Sequence, residues 1–124
     1  MKILVADDEE VIRTTLEAIL KRSGNYEIDL AVDGEEAVNK AKTGMYGLLL
    51  LDLNMPKLTG YEVLKQVRKD FPELPVIFIT ATGEAKKIMQ SIAQDKLNAF
   101  IEKPFTPEKV LNMVNKAINP WSLK

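Results

Sequence analysis

LLLLDLNMP, residues 48–56, decides which fold this chain adopts. Its four leucines leave no polar face, which is typical of a parallel strand covered on both sides of a sheet. A continuously apolar run has no periodicity that would distinguish a strand from a segment of buried helix. Its shortness and the turn residues around it favour a strand. Asp52 then stands at the carboxyl end of a buried strand.

Short apolar segments of this kind alternate five times with segments of helical period. The predicted strands are residues 3–6, 26–31, 48–51, 76–79 and 99–101, and the predicted helices follow signals at residues 12–20, 33–36, 59–62, 83–95 and 106–107. Alternating strands and helices indicate βαβ units with right-handed crossovers. We therefore predict an α/β domain over residues 1–118: a doubly wound, five-stranded parallel sheet in order 2-1-3-4-5, in three layers. Residues 119–124 are predicted to be a C-terminal tail or the start of a linker.

Composition excludes several classes of function. The 124 residues contain no cysteine and no histidine, so thiol nucleophiles, disulfides, imidazole metal ligands and Ser-His-Asp catalysis are ruled out. The formal net charge is −1, which indicates no general affinity for nucleic acid. No apolar run approaches the roughly 18 residues of a membrane span. We expect a cytoplasmic protein without a direct nucleic-acid or membrane partner.

Polar residues stand where four of the predicted strands end. They are Asp7 and Asp8 after strand 1, Asp52 after strand 3, Thr80 at the end of strand 4 and Lys103 after strand 5. Ligands of open α/β sheets bind beyond the carboxyl ends of the strands, and these four strands are neighbours in the predicted order. Three carboxylates, a hydroxyl and an ammonium should therefore share one crevice.

This set of groups suits phosphoryl transfer. Three clustered carboxylates repel one another, and a hard divalent cation such as Mg²⁺ relieves that repulsion while also accepting a phosphate oxygen as ligand. A carboxylate beside the cation, such as Asp52, can act as nucleophile and form an acyl phosphate. Lys103 can supply a cation and Thr80 a hydroxyl donor to the moving group.

Each residue alone also has an ordinary structural explanation. Asp7 and Asp8 suit a helix N-terminus, Asp52 a cap, Thr80 a strand and Lys103 the end of an edge strand. The joint pattern favours the chemical interpretation, because four separate strand ends each present a residue type that phosphoryl transfer needs.

With these motifs in place, the sequence resembles the receiver domains of response regulators in two-component signalling, of the single-domain chemotaxis-regulator type with a flavodoxin-like fold. The resemblance runs from Lys2 to about Ile118. It rests on six motifs: residues 3–10 (ILVADDEE), 33–34 (DG), 50–56 (LLDLNMP), Gly60, 79–81 (ITA) and 103–105 (KPF). No single motif is specific, but their order and spacing together are.

The resemblance implies a role for each site residue. Asp52 would be the phosphoacceptor. Asp8 would bind Mg²⁺ directly and Asp7 largely through water, with Asp52 and the backbone carbonyl of Asn54 as further metal ligands.

The resemblance also implies that Thr80 and Lys103 contact the phosphoryl group and that the bond from Lys103 to Pro104 is cis. Phe100 occupies an aromatic switch position, where many relatives carry tyrosine, so no switch hydrogen bond is possible there. Two further departures concern loops: residues 95–98 lack the usual glycine-alanine turn, and Gly47 stands where aspartate is frequent.

The implied function is a phosphoacceptor switch, not an enzyme beyond its own phosphorylation and dephosphorylation. A histidine kinase or histidine phosphotransfer protein would be the donor, and a downstream protein or fused output domain the target, with the protein as a monomer or a phosphorylation-dependent dimer. Two alternatives stay open: the input domain of a longer transcription regulator, and an aspartate-nucleophile phosphatase. The phosphatase pattern of aspartate, one residue, aspartate is not matched, because Glu9 follows Asp7 at that spacing.

Overall fold

A computed structural model describes residues 1–81 and 98–118 of the chain. The elements in these ranges are β1 (Lys2–Ala6), α1 (Glu10–Lys21), β2 (Glu27–Ala31), α2 (Gly34–Ala41), β3 (Leu48–Asp52), α3 (Gly60–Asp70), β4 (Val76–Ala81), β5 (Asn98–Lys103) and α4 (Pro107–Ile118). All five predicted strands are confirmed, with β2 beginning one residue later than expected and β5 extending past both predicted ends. The helix predicted over residues 83–95 and the tail predicted over 119–124 lie outside the described residues.

The sheet is parallel throughout and has the predicted order, β2-β1-β3-β4-β5. β3 is central, with Leu51 level with Ala6 of β1 and Asp52 level with Ile79 of β4. The residues that follow β1 and end β3 and β4 therefore reach the same edge of the sheet.

The four leucines of β3 supply both hydrophobic cores. Leu48 and Leu50 pack in the cluster that contains residues of α1 and α4, and Leu49 and Leu51 in the cluster that contains residues of α2 and α3. All four side chains are fully buried, and burying a leucine contributes about 2 kcal/mol relative to leaving it exposed. Helices thus cover both faces of the sheet, which confirms the three-layer prediction and fixes Asp52 at the end of the most buried strand.

The helix signals that fall on the described residues are confirmed, with one difference. Thr59 and Glu62 form a complete capping box at the start of α3. At α2, the Asp33 carboxylate accepts from the Glu36 N–H at 2.8 Å, but the Glu36 carboxylate accepts from Val32 N–H, not from Asp33. Residues 33–36 have the spacing of a capping box, but only half of the box is formed, because Glu36 reaches one residue further back along the chain.

No helix among the described residues is long and apolar enough to cross a membrane.

Candidate functional site

The side chain of Lys103 lies at the centre of the predicted crevice. Its Nζ atom is 3.3 Å from Asp52 Oδ2, 3.4 Å from Asp7 Oδ2 and 3.4 Å from Glu9 Oε1. These groups come from the ends of β5, β3 and β1, so the parallel sheet brings Asp7, Asp52 and Lys103 together, as the sequence predicted. The ammonium of Lys103 therefore contacts three carboxylates at once.

Local turns orient the two buried aspartates. Asp7 Oδ1 accepts a hydrogen bond from Glu9 N–H at 2.9 Å, and Asp52 Oδ1 accepts one from Asn54 N–H at 3.0 Å. Each carboxylate caps its own turn with one oxygen and turns the other towards Lys103. Arg13 of α1 adds a donor to the backbone carbonyl of Asp7 at 2.8 Å, which holds the β1–α1 turn in place.

Burial makes this cluster electrostatically costly. Asp7 is fully buried and Asp52 is 4% exposed. Burial raises the pKa of Asp7 to about 6; the Glu9 N–H opposes this rise, and the negative charge of Asp52 adds to it. Burial also disfavours the charged form of Lys103, but the charges of Asp52 and Asp7 outweigh it and raise the pKa of Lys103 above its ordinary value. The single positive charge of Lys103 therefore only partly balances the negative charge of the carboxylates around it.

The donor atoms fit a hard divalent cation. Asp7 Oδ2 is buried and accepts no hydrogen bond from the described residues. One carboxylate oxygen each from Asp7, Asp8, Glu9 and Asp52 lies within 4.8 Å of all the others. An all-oxygen, carboxylate-rich set of this kind is what Mg²⁺ prefers.

Glu9 is the member of this cluster that the sequence interpretation missed. Its position also suits an acid at a helix N-terminus, and in the structure it directly precedes α1. The available signal was its place as the third acid of the run that follows β1.

The other two predicted site residues lie on the neighbouring strands β4 and β5. Thr80 is fully buried and stands one residue beyond Ile79, the partner of Asp52; its hydroxyl donates a long, 3.4 Å hydrogen bond to the Ala81 carbonyl. The ring of Phe100 lies 5.7 Å from the ring of Phe78 at an interplanar angle of 31°. The peptide bond from Lys103 to Pro104 is cis, as the resemblance implied.

Metal-free protein is expected to lose stability as the pH rises from about 4 to about 6. The Asp7 carboxyl keeps its proton up to about pH 6 in the folded state but has an ordinary value of 3.8, so in this window the folded state binds more protons and the free energy of unfolding falls. One pKa unit corresponds to about 1.4 kcal/mol, and screening at the crevice mouth reduces it, so we expect a loss on the order of 2 kcal/mol.

Urea unfolding in chelator at pH 4.5 and pH 7 measures this loss. Asp7→Asn should be more stable than the wild type at pH 7 and should show a flatter pH dependence. Asp29→Asn is the matched control. The hydrogen bond from the Tyr46 hydroxyl lowers the pKa of Asp29, so the loss of this carboxylate should decrease the stability at pH 7 instead of increasing it. If Asp7→Asn gains no stability at pH 7, Asp7 does not carry the proposed penalty.

The sequence matches the family described as response regulator receiver domain over residues 3–115. It is 38% identical to the transcriptional regulatory protein DltR of Streptococcus agalactiae, with 99% of this chain and 54% of that protein covered. It is 43% identical to the alkaline phosphatase synthesis transcriptional regulatory protein PhoP of Bacillus subtilis, with 88% of this chain and 45% of that protein covered. The chain spans about half the length of these curated relatives.

Solved structures show the same fold. A response regulator receiver domain protein from Clostridium thermocellum superposes with a TM-score of 0.86 at 27% identity, covering 98% of this chain and 97% of that one. The chemotaxis protein CheY4 of Vibrio cholerae superposes with a TM-score of 0.84 at 30% identity, covering 94% and 97%.

Proposed function

This chain belongs to the response regulator receiver family of two-component signalling, and on that basis we propose that Asp52 is its phosphoacceptor in a Mg²⁺-dependent reaction. The observation that carries the proposal is the position of the Lys103 ammonium, 3.3 Å from Asp52 and 3.4 Å from Asp7 at the carboxyl edge of the sheet. In phosphoryl transfer, negative charge passes from the attacking carboxylate to the phosphoryl oxygens. A fixed ammonium between the buried carboxylates can stabilise that charge in both positions.

In the proposed reaction the Asp52 carboxylate attacks the phosphorus atom of the donor. An O–P bond forms at Asp52 while the N–P bond of a phosphohistidine breaks, and the bonding electrons leave with the imidazole. Lys103 stays within reach of the charge as it passes from the carboxylate to the phosphoryl oxygens. Water later attacks the phosphorus atom of the acyl phosphate, the O–P bond to Asp52 breaks, and inorganic phosphate leaves as the free carboxylate is restored.

Mg²⁺ would be held by Asp8 directly, by Asp7 largely through water, and by Asp52 with the backbone carbonyl of Asn54. Glu9, which belongs to the same cluster of oxygens, is a further candidate for the outer shell. When bound, the ion supplies charge neutralisation for the carboxylates and for the phosphoryl oxygens.

Thr80 and Phe100 are proposed to carry the change away from the site. The weak hydrogen bond of the Thr80 hydroxyl is easily exchanged for one to a phosphoryl oxygen, and Phe100 lies on the neighbouring strand. Amide chemical shifts with and without beryllofluoride, a phosphoryl mimic, test this route in wild type and Thr80→Ala. Shifts should reach Phe100 in the wild type and stop short of it in the variant; identical distant shifts in both would exclude the route.

The function itself is tested by incubating the wild-type protein with acetyl phosphate and following its intact mass. With Mg²⁺ present the protein should gain one phosphoryl group, and with excess chelator it should gain none. The phosphatase alternative predicts something else, namely sustained release of inorganic phosphate from a phosphomonoester such as p-nitrophenyl phosphate. Release from acetyl phosphate does not separate the two functions, because the switch also hydrolyses its own acyl phosphate. A protein that stays unmodified with Mg²⁺, or that turns over a phosphoester continuously, would reject the switch proposal.

The relatives also bear on the biological setting. Both are transcriptional regulators about twice as long as the matched region, which supports a role for residues 1–118 as the input domain of a longer regulator. We propose a histidine kinase or phosphotransfer protein as donor, in the cytoplasm, and an output domain or separate protein as target.

A further inference from the structure

Lys57 has a backbone conformation that is rare for a residue with a side chain. Its φ angle is +72°, in the left-handed region. It is the middle residue of a three-residue turn, which the Leu58 N–H closes by donating to the Pro56 carbonyl at 2.8 Å. Strained turns of this type persist where the surroundings hold them, and they concentrate at functional sites.

The start of α2 provides that support. Lys57 Nζ lies 3.4 Å from Oδ2 of Asp33, the N-cap residue of α2, whose side chain is only 14% exposed. The next residue, Gly34, donates its N–H to the Pro56 carbonyl at 3.3 Å. A Cβ atom on Gly34 would lie 2.1 Å from the Leu58 carbonyl oxygen, so the turn is pressed directly against the helix.

This turn belongs to the short loop that joins β3 to α3, and the loop begins at the functional site. Asn54, whose N–H donates to Asp52 Oδ1, is three residues before Lys57. Between them, Met55 is buried in the core between the sheet and α2 and α3. The backbone at Asn54 is thus fixed at one end by Asp52 and at the other by the turn at Lys57.

We infer that Lys57 is a positioning residue: its ion pair with Asp33 holds the β3–α3 loop so that the backbone of Asn54 faces the carboxylate cluster, and thereby strengthens Mg²⁺ binding. This inference rests on the magnesium site of the proposed function. The Asp33–Lys57 pair would act on the metal site only through the backbone of the loop, and not by direct contact with the carboxylate cluster.

A simple effect of charge at a distance makes a different prediction, which separates the two explanations. Removing the positive charge of Lys57 would by itself favour a bound cation, whereas removing the negative charge of Asp33 would disfavour it. Positioning requires that both changes weaken Mg²⁺ binding, because either one releases the loop.

The experiment is a calorimetric Mg²⁺ titration of Lys57→Met, Asp33→Asn and the double variant, at a fixed ionic strength near 0.1 M. Asp33→Asn is chosen because the amide keeps an oxygen for the Glu36 N–H, so the cap of α2 survives. Each single variant should bind Mg²⁺ about threefold more weakly. The double variant should bind it no more weakly than Lys57→Met, because Lys57→Met already removes the pair with Asp33 together with the longer, 4.0 Å contact between Lys57 Nζ and Glu35 Oε1. Lys57→Arg should restore wild-type affinity.

A second measurement needs no metal. Hydrogen exchange at the amides of Gly34 and Leu58, whose N–H groups bond to Pro56, should be faster in Lys57→Met and Asp33→Asn than in the wild type. The matched control is the ion pair of the partly buried Glu17 and the exposed Lys21 on α1, 3.1 Å apart. Glu17→Gln and Lys21→Met should change neither the Mg²⁺ affinity nor the exchange at these two amides.

Two results would overturn the inference, and they differ in what else they affect. If the wild type binds Mg²⁺ and Lys57→Met binds it equally well or more tightly, the positioning role is wrong and the proposed function stands. If the wild type itself binds no Mg²⁺, the proposed metal site fails together with the inference.

Discussion

Asp52→Asn protein is expected to take up no phosphoryl group from acetyl phosphate under conditions that modify the wild type. The neutral amide that replaces the carboxylate is not a nucleophile. Among the described residues, Asp52 is the carboxylate that both ends the central strand and contacts Lys103. Intact-mass measurement over a time course, with Mg²⁺ in excess, should show incorporation at background level in the variant.

This loss should not arise from unfolding. The amide keeps the shape of the side chain and an oxygen for the Asn54 N–H, and it removes one negative charge from a crowded cluster. The variant should therefore melt no lower than the wild type. Asp29→Asn, a change of the same kind on β2, should retain full incorporation. Equal labelling of Asp52→Asn and wild type would show that another residue accepts the phosphoryl group.

Asp8→Ala is expected to weaken Mg²⁺ binding at least tenfold, and Asp7→Ala less. Asp8 is one of the two exposed members of the cluster, with Glu9, and its carboxylate oxygen lies within 4.8 Å of those of Asp7 and Asp52. In the proposed site Asp8 binds the ion directly, whereas Asp7 acts largely through water and so contributes less. A tenfold change corresponds to about 1.4 kcal/mol of binding free energy.

Calorimetric titration at constant ionic strength measures both affinities. Glu10→Gln serves as the control for net charge, since Glu10 lies close by in the first turn of α1 but outside the cluster of carboxylates. It should change the affinity less than twofold, because an exposed charge that does not bind the ion interacts with it only weakly through solvent. An unchanged Mg²⁺ affinity in Asp8→Ala would contradict the proposed ligand set, and a larger effect in Asp7→Ala would reverse the two assigned roles.

The sequence predicted most of the fold because the strongest signals are local. The leucines of β3 could only be buried on both faces, and alternation with helical segments then restricted the topology to very few possibilities. The same topology placed Asp7, Asp52 and Lys103 at one edge, since carboxyl ends of parallel strands meet there. The site was therefore predicted from strand order and residue type, without any knowledge of side-chain positions.

What the sequence could not predict depends on how turns place side chains. Glu9 enters the cluster because the β1–α1 turn directs it towards Lys103, and no residue pattern encodes that direction. The left-handed backbone at Lys57 was equally hidden, because glycine or asparagine is the usual signal for that conformation. The ion pair that accompanies it is also long-range, since Asp33 lies 24 positions earlier in the chain.

The most direct measurement is to locate the phosphoryl group within the protein. Borohydride reduces an acyl phosphate to an alcohol, which is stable and identifiable by mass in a peptide digest. After treatment with acetyl phosphate and Mg²⁺, the reduced wild-type protein should carry this alcohol at position 52 and nowhere else, and chelator should abolish it. An alcohol at Asp7, Asp8 or any other carboxylate, with Asp52 unchanged, would contradict the assignment of Asp52 as the phosphoacceptor.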